Sequence, residues 1–481
     1  MDPTSVLGAW TAGRGPLYRR LATAIRAAIE RGELQAGDRL PAERELAAQL
    51  AVSRSTAVAA YDELRADGEI ERRRGSGTFV SRREAPQRAE ERPSAAVLSG
   101  ILAGLWTGPG PLIELTSASL SGDGIVTPAD LEAASRDLRE VLPSHGYSPY
   151  GLPALRRSIA AYLSERGLRT SEDEILVTSG AQQAIALSAS LLVGPGDVAV
   201  VENPSFPGAI DALRAAGAQL AAIPVDADGG RTDALRILLE RHRPRAAYVC
   251  TMFHSPTGAL MSEPRRRELA RIALEYDLPV IDDTALGELS LCGSVGPPAA
   301  AFAPRATFLT IGSMSKLCWG GLRVGWVRGP IALIERLARS KIVADHGTAL
   351  LDQLLAVRLL ARVGEVREIR AAQIEERLAT LTHTLAERVP EWTFVRPAGG
   401  LLAWVRLPRG NAVAFSQLAL RHGVAVVPGS VTSIDGGMTE YLRLPFAAPP
   451  EVLVEGLTRL ADAYRAYVAG LDGAEAATVL V

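Results

Sequence analysis

The chain has 481 residues, of which 47% are hydrophobic and 22% charged, and its formal net charge is −2. This length suits about three domains with large cores, whereas no apolar run approaches the ~18 residues of a membrane span and the first residues lack the basic-then-apolar order of a signal peptide. The three cysteines show neither disulfide nor metal-ligand spacing, so we expect a cytoplasmic protein without a metal site.

Residues 14–82 predict a compact unit of three helices followed by a two-stranded wing. Apolar residues at every fourth position from Leu17 predict the first helix, Pro41 opens the second, and Ser53 can cap a third helix that runs from Arg54 to Asp67. The stretches EIERRR and GTFVS then alternate like two strands around a Gly-Ser turn. This order is typical of a winged helix-turn-helix, and its 13 arginines against 10 acidic residues (net +3) are only weak evidence for DNA binding.

Residues 83–95 carry charge and proline without periodicity, which is typical of a linker. From about residue 96 onward, short apolar strands alternate with long helices, which predicts an α/β domain with a mostly parallel sheet at about 135–345. Its strand candidates are ILVT (175–178), VAVV (198–201), AAYVC (246–250), PVID (279–282) and TFLTI (307–311). At about 365–470, a long helix and the stretches FVRP, LLAWVRL, VAVVP and YLRLPF predict a smaller α+β part of a body that spans 96–481.

The DNA-contacting candidates follow from the helix-turn-helix geometry, in which the first residues of the recognition helix meet base edges. Those residues are Ser53, Arg54, Ser55 and Thr56, and Arg54 can contact guanine in a bidentate manner. Arg44, on the preceding helix, can reach a phosphate. Arg74 and Gly75, at the wing tip, can enter the minor groove. Taken singly, each of these is more readily a solvated side chain or a helix cap than a DNA contact.

Lysine is scarce: the 52 basic residues include only Lys316 and Lys341. A lysine in so arginine-rich a chain points to chemistry that guanidinium cannot perform, such as a Schiff base. Lys316 lies in IGSMSKLCWGGLRVGW beside Ser313, Ser315 and Arg323, which suit the phosphate of a phosphorylated aldehyde. Lys341 lies in an ordinary helical pattern, and we interpret it as structural.

Two strand ends supply further candidates. The strand ILVT runs into Ser179, Gly180, Ala181 and Gln182 at a helix start, where backbone N–H groups can bind phosphate. Asp282 ends the strand PVID, where an ionised acid can keep a pyridine nitrogen protonated. The alternative interpretation is that the acidic residues at 282 and 283 only cap a turn.

The segment LQAGDRLPAERELAAQLAVSRSTAVAAYDELRADGEIERRRGSGTFV closely resembles the winged helix of GntR-family regulators over about 65 residues. By this resemblance Arg44, Arg54, Ser55 or Thr56, and Gly75 occupy DNA-contacting positions. Val58 departs from the pattern, because some members carry a contacting basic residue there.

The motifs GYSPYGLPALRRSIA, VTSGAQQAI, ENPSFPG, HSPTG, VIDDTALGEL, SMSKLCWGGLRVGW and YLRLPFA resemble, in family order across about residues 145–447, fold-type I pyridoxal-phosphate enzymes of aminotransferase class I/II. The resemblance implies a Schiff base on Lys316, a ring-nitrogen partner at Asp282 and ring stacking on Phe206. It assigns phosphate contacts to the turn and motif positions Ala181, Gln182, Ser313, Ser315 and Arg323, and Gly180 is a further cofactor-binding candidate in the same turn. It places the effector or substrate at Arg443 and Tyr150, with Arg443 pairing with an α-carboxylate.

Three positions depart from that family's pattern. Phe206 stands where many relatives have Tyr, Ser255 stands where an Asn usually binds the ring hydroxyl, and Thr284 stands near a usual Tyr. We expect the hydroxyls of Ser255 and Thr284 to substitute in part. These changes weaken control of the ring and argue against fast transamination.

The whole arrangement resembles MocR-type regulators, which implies a homodimer with cofactor sites at the subunit interface and an operator of repeated half-sites in double-stranded DNA. We therefore expect a multidomain transcription regulator, dependent on pyridoxal 5'-phosphate, that senses a small amine or amino acid, or the cofactor itself, at Lys316. An aminotransferase with an accessory DNA-binding domain is the alternative, and a residual half-reaction stays open. A body that serves only as a dimer scaffold is disfavoured, because every imine- and phosphate-binding element is retained.

Overall fold

A computed structural model of the chain describes residues 16–30, 33–34, 37–50, 52–66, 69–73, 77–81 and 111–479. The chain folds as two compact units, Met1–Glu91 and Arg92–Val481. The predicted linker at 83–95 and the predicted wing-tip residues Arg74 and Gly75 lie outside the described residues.

The first unit packs its helices over a small antiparallel sheet of order β1-β3-β2. Its elements are α1 (Leu17–Glu30), β1 (Arg39–Leu40), α2 (Glu43–Gln49), α3 (Arg54–Ala66), β2 (Ile70–Arg73) and β3 (Gly77–Val80). The predicted cap of the third helix is confirmed, because Oγ of Ser53 accepts the backbone N–H of Thr56 at 3.1 Å. The second helix begins two residues after Pro41, since Ala42 keeps an extended backbone (φ −61°, ψ 149°). The short strand β1 was not predicted.

The large part of the second unit is an eight-stranded sheet of order β5-β12-β11-β10-β9-β6-β7-β8. The strands are β5 (Ile175–Thr178), β6 (Val198–Asn203), β7 (Gln219–Asp226), β8 (Gly229–Gly230), β9 (Ala246–Val249), β10 (Val280–Asp283), β11 (Phe308–Ser313) and β12 (Gly325–Arg328). The five predicted strands are confirmed and lie parallel at the centre, except for β5, which is joined through the antiparallel strand β12. The strands β7, β8 and β12 were not predicted.

Helices cover both faces of this sheet. On each face, side chains of the strands and of the helices form a buried apolar cluster. The helices of the second unit are α4 (Pro128–Val141), α5 (Pro153–Glu165), α6 (Ala181–Leu192), α7 (Pro207–Ala215), α8 (Thr232–His242), α9 (Glu263–Glu275), α10 (Met314–Leu317), α11 (Ile331–Asp345), α12 (Leu350–Ala361), α13 (Val363–Arg388), α14 (Ala412–Arg421) and α15 (Pro450–Val479). In the described ranges, no helix is long and apolar enough to cross a membrane.

The smaller part is a four-stranded sheet of order β13-β15-β14-β4. Its strands are β4 (Ile113–Leu115), β13 (Leu402–Arg406), β14 (Val424–Pro428) and β15 (Tyr441–Pro445). The prediction of a strand at FVRP (394–397) is wrong: only the preceding Thr393 forms an isolated bridge, with Arg406, and Pro397 has no N–H to donate to a ladder. The strand β4 was not predicted, and it brings residues from the start of the second unit to the smaller sheet.

Candidate functional site

The floor of the candidate site is the edge of the sheet where β5 and β11 end and β12 begins. Thr178 on β5 pairs with Gly325 on β12, which pairs in turn with Ser313 on β11. Gly180 follows β5 with a φ of +95°, in the region that favours glycine. A Cβ there would lie 2.8 Å from Nη2 of Arg323, so the missing side chain leaves room for that guanidinium.

The electrostatic potential is positive around the first residues of α6. The first helical residues, Ala181 and Gln182, have backbone N–H groups that lack partners within the helix. Nη2 of Arg323 donates to the carbonyl of Ser179 at 2.6 Å, which holds the guanidinium beside this helix start. A helix N-terminus and an adjacent guanidinium together suit a phosphate.

The two serines before Lys316 line the same floor. Oγ of Ser313 accepts the backbone N–H of Ser315 at 3.1 Å and caps α10. Oγ of Ser315 is buried and, in the part of the chain that the structure describes, has no hydrogen-bond partner. A buried hydroxyl without a partner fits a ligand that would supply one, so the residues present fit the phosphate of pyridoxal phosphate.

Lys316 lies on α10, half-buried, and its Nζ donates to the carbonyl of Ala118 at 2.7 Å. Burial, together with the positive charges of Arg443 and Arg323, lowers the pKa of Lys316 to about 8, and the negative charge of Asp283 opposes this shift. At pH 7 about a tenth of this amine is therefore uncharged, far more than for an ordinary lysine, and the uncharged amine is the form that attacks an aldehyde.

Lys341 differs from Lys316 in its burial and in its partner. Its side chain is fully buried on α11, and its Nζ pairs with Asp345, one turn further along the helix, at 2.6 Å. The interpretation of Lys341 as structural is confirmed.

Asp282 and Asp283 lie on opposite faces of β10, because successive side chains of a strand alternate. Asp283 accepts the Tyr248 hydroxyl at 2.8 Å, and Lys316 stabilises its charged form against the burial that raises its pKa. Asp282 accepts the Thr251 hydroxyl at 2.6 Å, and its charged neighbours are Asp283 and Arg266. The structure thus turns Asp283, and not the predicted Asp282, toward Lys316. Sequence reasoning missed this because both residues end the same strand.

Phe206 lies beside the start of α6, and Ser255 lies in the loop that follows β9. Phe206 precedes α7 and is half-buried, and Nε2 of Gln182 donates to the carbonyl of Gly208 at 2.8 Å, which ties the Phe206 loop to α6. Oγ of Ser255 is buried without a partner among the described residues, so it is free to bind a ligand.

Thr284 directly follows β10, and its hydroxyl proton is used within the sheet. Its hydroxyl donates to the carbonyl of Ile311 at 2.7 Å and holds the end of β10 against β11. While it donates this proton, the hydroxyl oxygen can still accept a hydrogen bond, so the expectation that Thr284 partly replaces a ring-binding tyrosine stays a prediction.

Arg443 lies on β15 with its side chain buried, and Nη1 donates to the carbonyl of Thr116 at 2.8 Å. Within the described ranges its Nε has no hydrogen-bond partner, and its guanidinium makes no ion pair. Burial lowers the pKa of Arg443 to about 10. A buried cation without an acidic partner is costly, and a carboxylate ligand would remove that cost.

The contacts of Tyr150 are with other groups. Its ring lies 5.7 Å from the Arg156 guanidinium and packs against the core beneath α6. None of its described contacts joins it to Lys316 or Arg443, and its place in an effector site stays a prediction.

Sequence reasoning also missed residues 116–118. Their carbonyls meet Arg443 and Lys316, although the stretch TSA carries no chemical motif. Tyr248 was missed as well, because a buried strand tyrosine is by itself only a core residue.

The candidate DNA contacts cluster where α3 begins. Oγ of Ser53 lies 2.8 Å from the hydroxyl oxygens of Ser55 and Thr56, and Arg54 is exposed beside them. The Tyr61 hydroxyl donates to the carbonyl of Pro41 at 2.9 Å and holds α3 against the start of α2, which carries Arg44 with an exposed side chain.

Comparison with known proteins gives matches for both units. Residues 111–460 match the family described as Aminotransferase class I and II, and residues 17–80 match Bacterial regulatory proteins, gntR family. The protein named uncharacterized HTH-type transcriptional regulator YdfD of Bacillus subtilis is 30% identical over 92% of this chain and 95% of its own length. The 2-aminoadipate transaminase of Thermus thermophilus is 33% identical over 70% of this chain and 86% of its own length.

A solved structure resembles the second unit. It is LysN, the α-aminoadipate aminotransferase of Thermus thermophilus, complexed with N-(5'-phosphopyridoxyl)-L-leucine. The TM-score is 0.70 at 31% identity, and the match covers 78% of this chain and all of that one.

Proposed function

Since the chain belongs to the family of class I and II aminotransferases and carries a gntR-family DNA-binding domain before that fold, we propose that it is a transcription regulator controlled by a small amine or amino acid. The predicted fold class, a winged helix joined to a fold-type I aminotransferase-like body, is confirmed, and pyridoxal phosphate is the cofactor of this fold. One observation carries the proposal: the DNA-binding domain shares a chain with a half-buried Lys316 whose pKa is lowered by two nearby cations, Arg323 of the phosphate cradle and Arg443, which makes no ion pair among the described residues.

Different residues would bind the phosphate, the ring and the aldehyde of the cofactor. The start of α6, Ser315 and Arg323 would hold the phosphate, Phe206 would cover the ring, and Asp283 would meet the ring nitrogen. When bound, pyridoxal phosphate supplies an aldehyde that captures amines and a ring that withdraws electrons. Lys316 would be the residue that bonds to the aldehyde carbon.

The effector is selected by the groups that line its carboxylate and ring positions. Arg443 would bind a carboxylate in a bidentate manner, because its guanidinium is buried and no acidic residue in the described ranges pairs with it. The buried hydroxyl of Ser255 has no partner among the residues that the structure describes, whereas the hydroxyl of Thr284 donates to the carbonyl of Ile311. With so few groups to bind the ring, control of its electronic state is weak. This favours stable binding of a ligand over rapid transamination.

Regulation requires that the effector bind one arrangement of the chain better than another. We propose that the regulator is a homodimer, that residues at the start of α3 and Arg44 read repeated half-sites of double-stranded DNA, and that occupancy of the site changes the affinity for this DNA. The basic, exposed start of α3 supports the DNA-binding part of this proposal.

The test follows the visible absorption of the protein loaded with pyridoxal phosphate while amines and amino acids are added, with DNA affinity measured in parallel by fluorescence anisotropy. We expect one amine to produce a stable new spectrum and a changed DNA affinity. Lys316→Ala should abolish both responses. A Lys316→Ala protein that keeps full regulation by pyridoxal phosphate alone would show that the cofactor itself is the signal.

An aminotransferase with an accessory DNA-binding domain is the second candidate. It is favoured by the retained Lys316 and Arg443 and by the 33% identity to a relative named as a transaminase. Conversion of the loaded protein to pyridoxamine phosphate, with recovery on addition of a keto acid, would establish it.

A further inference from the structure

The segment between β4 and α4 is tied down by positively charged side chains. Four of its backbone carbonyls accept hydrogen bonds from four basic residues: Thr116 from Arg443, Ala118 from Lys316, Ser121 from Arg370, and Ile125 from Arg362. Two of these donors are the proposed ligand-binding groups, and the other two lie outside the site. The segment 116–121 is therefore attached to the site at one end and to α13 at the other.

Arg370 is the attachment on α13. It is 1% exposed, and Nη2 donates to the carbonyl of Ser121 at 2.6 Å. Nε donates to the carbonyl of Leu317 at 2.7 Å, and Nη2 also donates to that of Cys318. Leu317 and Cys318 close α10, whose last carbonyls lack partners within the helix. One guanidinium thus joins the end of the Lys316 helix to the segment 116–121.

All the described hydrogen-bond acceptors of Arg370 are neutral oxygens. Its remaining nitrogen, Nη1, donates to Oε1 of Gln373 at 2.7 Å, and it makes no ion pair with any described carboxylate. Burial lowers the pKa of Arg370 to about 10. Burial of a cation that has only neutral acceptors costs desolvation free energy, so stability of the fold does not explain it. The planar guanidinium, however, fixes the positions of several acceptors relative to one another.

We propose that Arg370 is a positioning residue, which sets the carbonyls of Thr116 and Ala118 against Arg443 and Lys316 by fixing the segment 116–121 to the end of α10. The proposal rests on the proposed function only in taking Lys316 and Arg443 as the ligand-binding groups. A ligand that engages Lys316 and Arg443 must compete with these two carbonyls, while Arg370 keeps the far end of the segment in place.

The test compares Arg370→Gln and Arg370→Lys with Arg377→Gln, a control two turns further along α13. Arg377 is half-buried and donates to the carbonyl of Ala447 at 2.6 Å, away from α10. The first measurement is the pH dependence of covalent capture of pyridoxal phosphate on Lys316, trapped with borohydride and quantified by mass spectrometry. The second is hydrogen exchange of residues 113–121, and circular dichroism establishes that each variant folds.

We expect Arg370→Gln to raise the pH midpoint of capture by about one unit, because a loosened segment exposes Lys316 to water and burial is the main cause of its lowered pKa. The charged groups that face Lys316, namely Arg443 of β15, Asp283 of β10 and Arg323 before β12, remain in place. Exchange in 116–121 should be at least about tenfold faster. Arg370→Lys should lie between, since one ammonium cannot reach both sides, and Arg377→Gln should match the unchanged protein.

An unchanged pH midpoint and unchanged exchange in folded Arg370→Gln or Arg370→Lys would overturn the proposal. Equal effects of Arg377→Gln would overturn it too, because they would reveal a general loss of stability. A failure of the proposed function gives a different result: the unchanged protein would capture no pyridoxal phosphate, or would capture it without any effect of amines on DNA affinity.

Discussion

At the scale of single residues, the adjacent Asp282 and Asp283 differ in which of them can meet the ring nitrogen of the cofactor. We predict that Asp283→Asn weakens pyridoxal phosphate binding about 10- to 100-fold, the loss expected for a hydrogen bond to a charged group, and shifts the visible band, because an amide cannot hold the ring nitrogen's proton. Asp282→Asn should leave both unchanged. Absorbance titration of the two variants decides the matter, and the reverse ranking would restore Asp282 to the ring-nitrogen role.

Asp282 also predicts a pH-dependent stability. Burial raises its pKa from 3.8 to about 7, so between those values the folded chain binds more protons at this residue than the unfolded chain does. The free energy of unfolding therefore falls as pH rises from about 4 to 7. Asp282→Asn imitates the protonated acid, and we expect it to raise the melting temperature more at pH ~8 than at pH ~4. Equal gains at both pH values would contradict this assignment.

Lys316 predicts a pH dependence of another kind. The rate of covalent capture of pyridoxal phosphate should rise with pH around a midpoint of about 8, where the amine loses its proton. Arg443→Gln removes a positive charge that lowers the pKa of Lys316, so its midpoint should move to higher pH. Stopped-flow absorbance across the pH range measures both midpoints, and an Arg443→Gln midpoint below that of the unchanged protein would refute the electrostatic account.

At the scale of elements, α3 carries the proposed DNA contacts at its first turn. We predict that Arg54→Gln weakens specific DNA binding by about 1–3 kcal/mol. Arg65→Gln serves as the control on the last turn of the same helix, where Arg65 pairs with Asp62 at 2.8 Å. Anisotropy titrations with operator and random DNA measure both variants. If both substitutions weaken binding alike, the contact is general attraction to phosphates and not readout by the start of α3.

The elements also mark how far the sequence leads. The central strands were predictable because each is a short apolar run bounded by turns. The strand β12 was hidden in the glycine-rich stretch after Lys316, and β4 depends on pairing with residues more than 300 positions later, a contact that no local pattern encodes. Likewise, motifs located Lys316 and Arg323, whereas the face taken by Asp283 and the use of the Thr284 hydroxyl depend on the register of β10 against β11.

At the scale of the whole molecule, the proposed homodimer predicts bivalent DNA binding. DNA with two half-sites should bind about 10²- to 10⁴-fold more tightly than DNA with one, because the second contact is intramolecular. Sedimentation equilibrium gives the oligomeric state, and titrations at two salt concentrations separate this gain from phosphate attraction. A monomer with equal affinity for both DNAs would refute the dimer.

The contrast between the buried, ion-paired Lys341 and the reachable Lys316 gives the chain a simple proteolytic signature. A protease that cleaves only after lysine should cut the denatured chain into residues 1–316, 317–341 and 342–481. Once borohydride has fixed a ligand on Lys316, the first two pieces should stay joined as 1–341. Digest maps of protein taken directly from cells would then report how much of it carries a ligand on Lys316, without purification of an active protein.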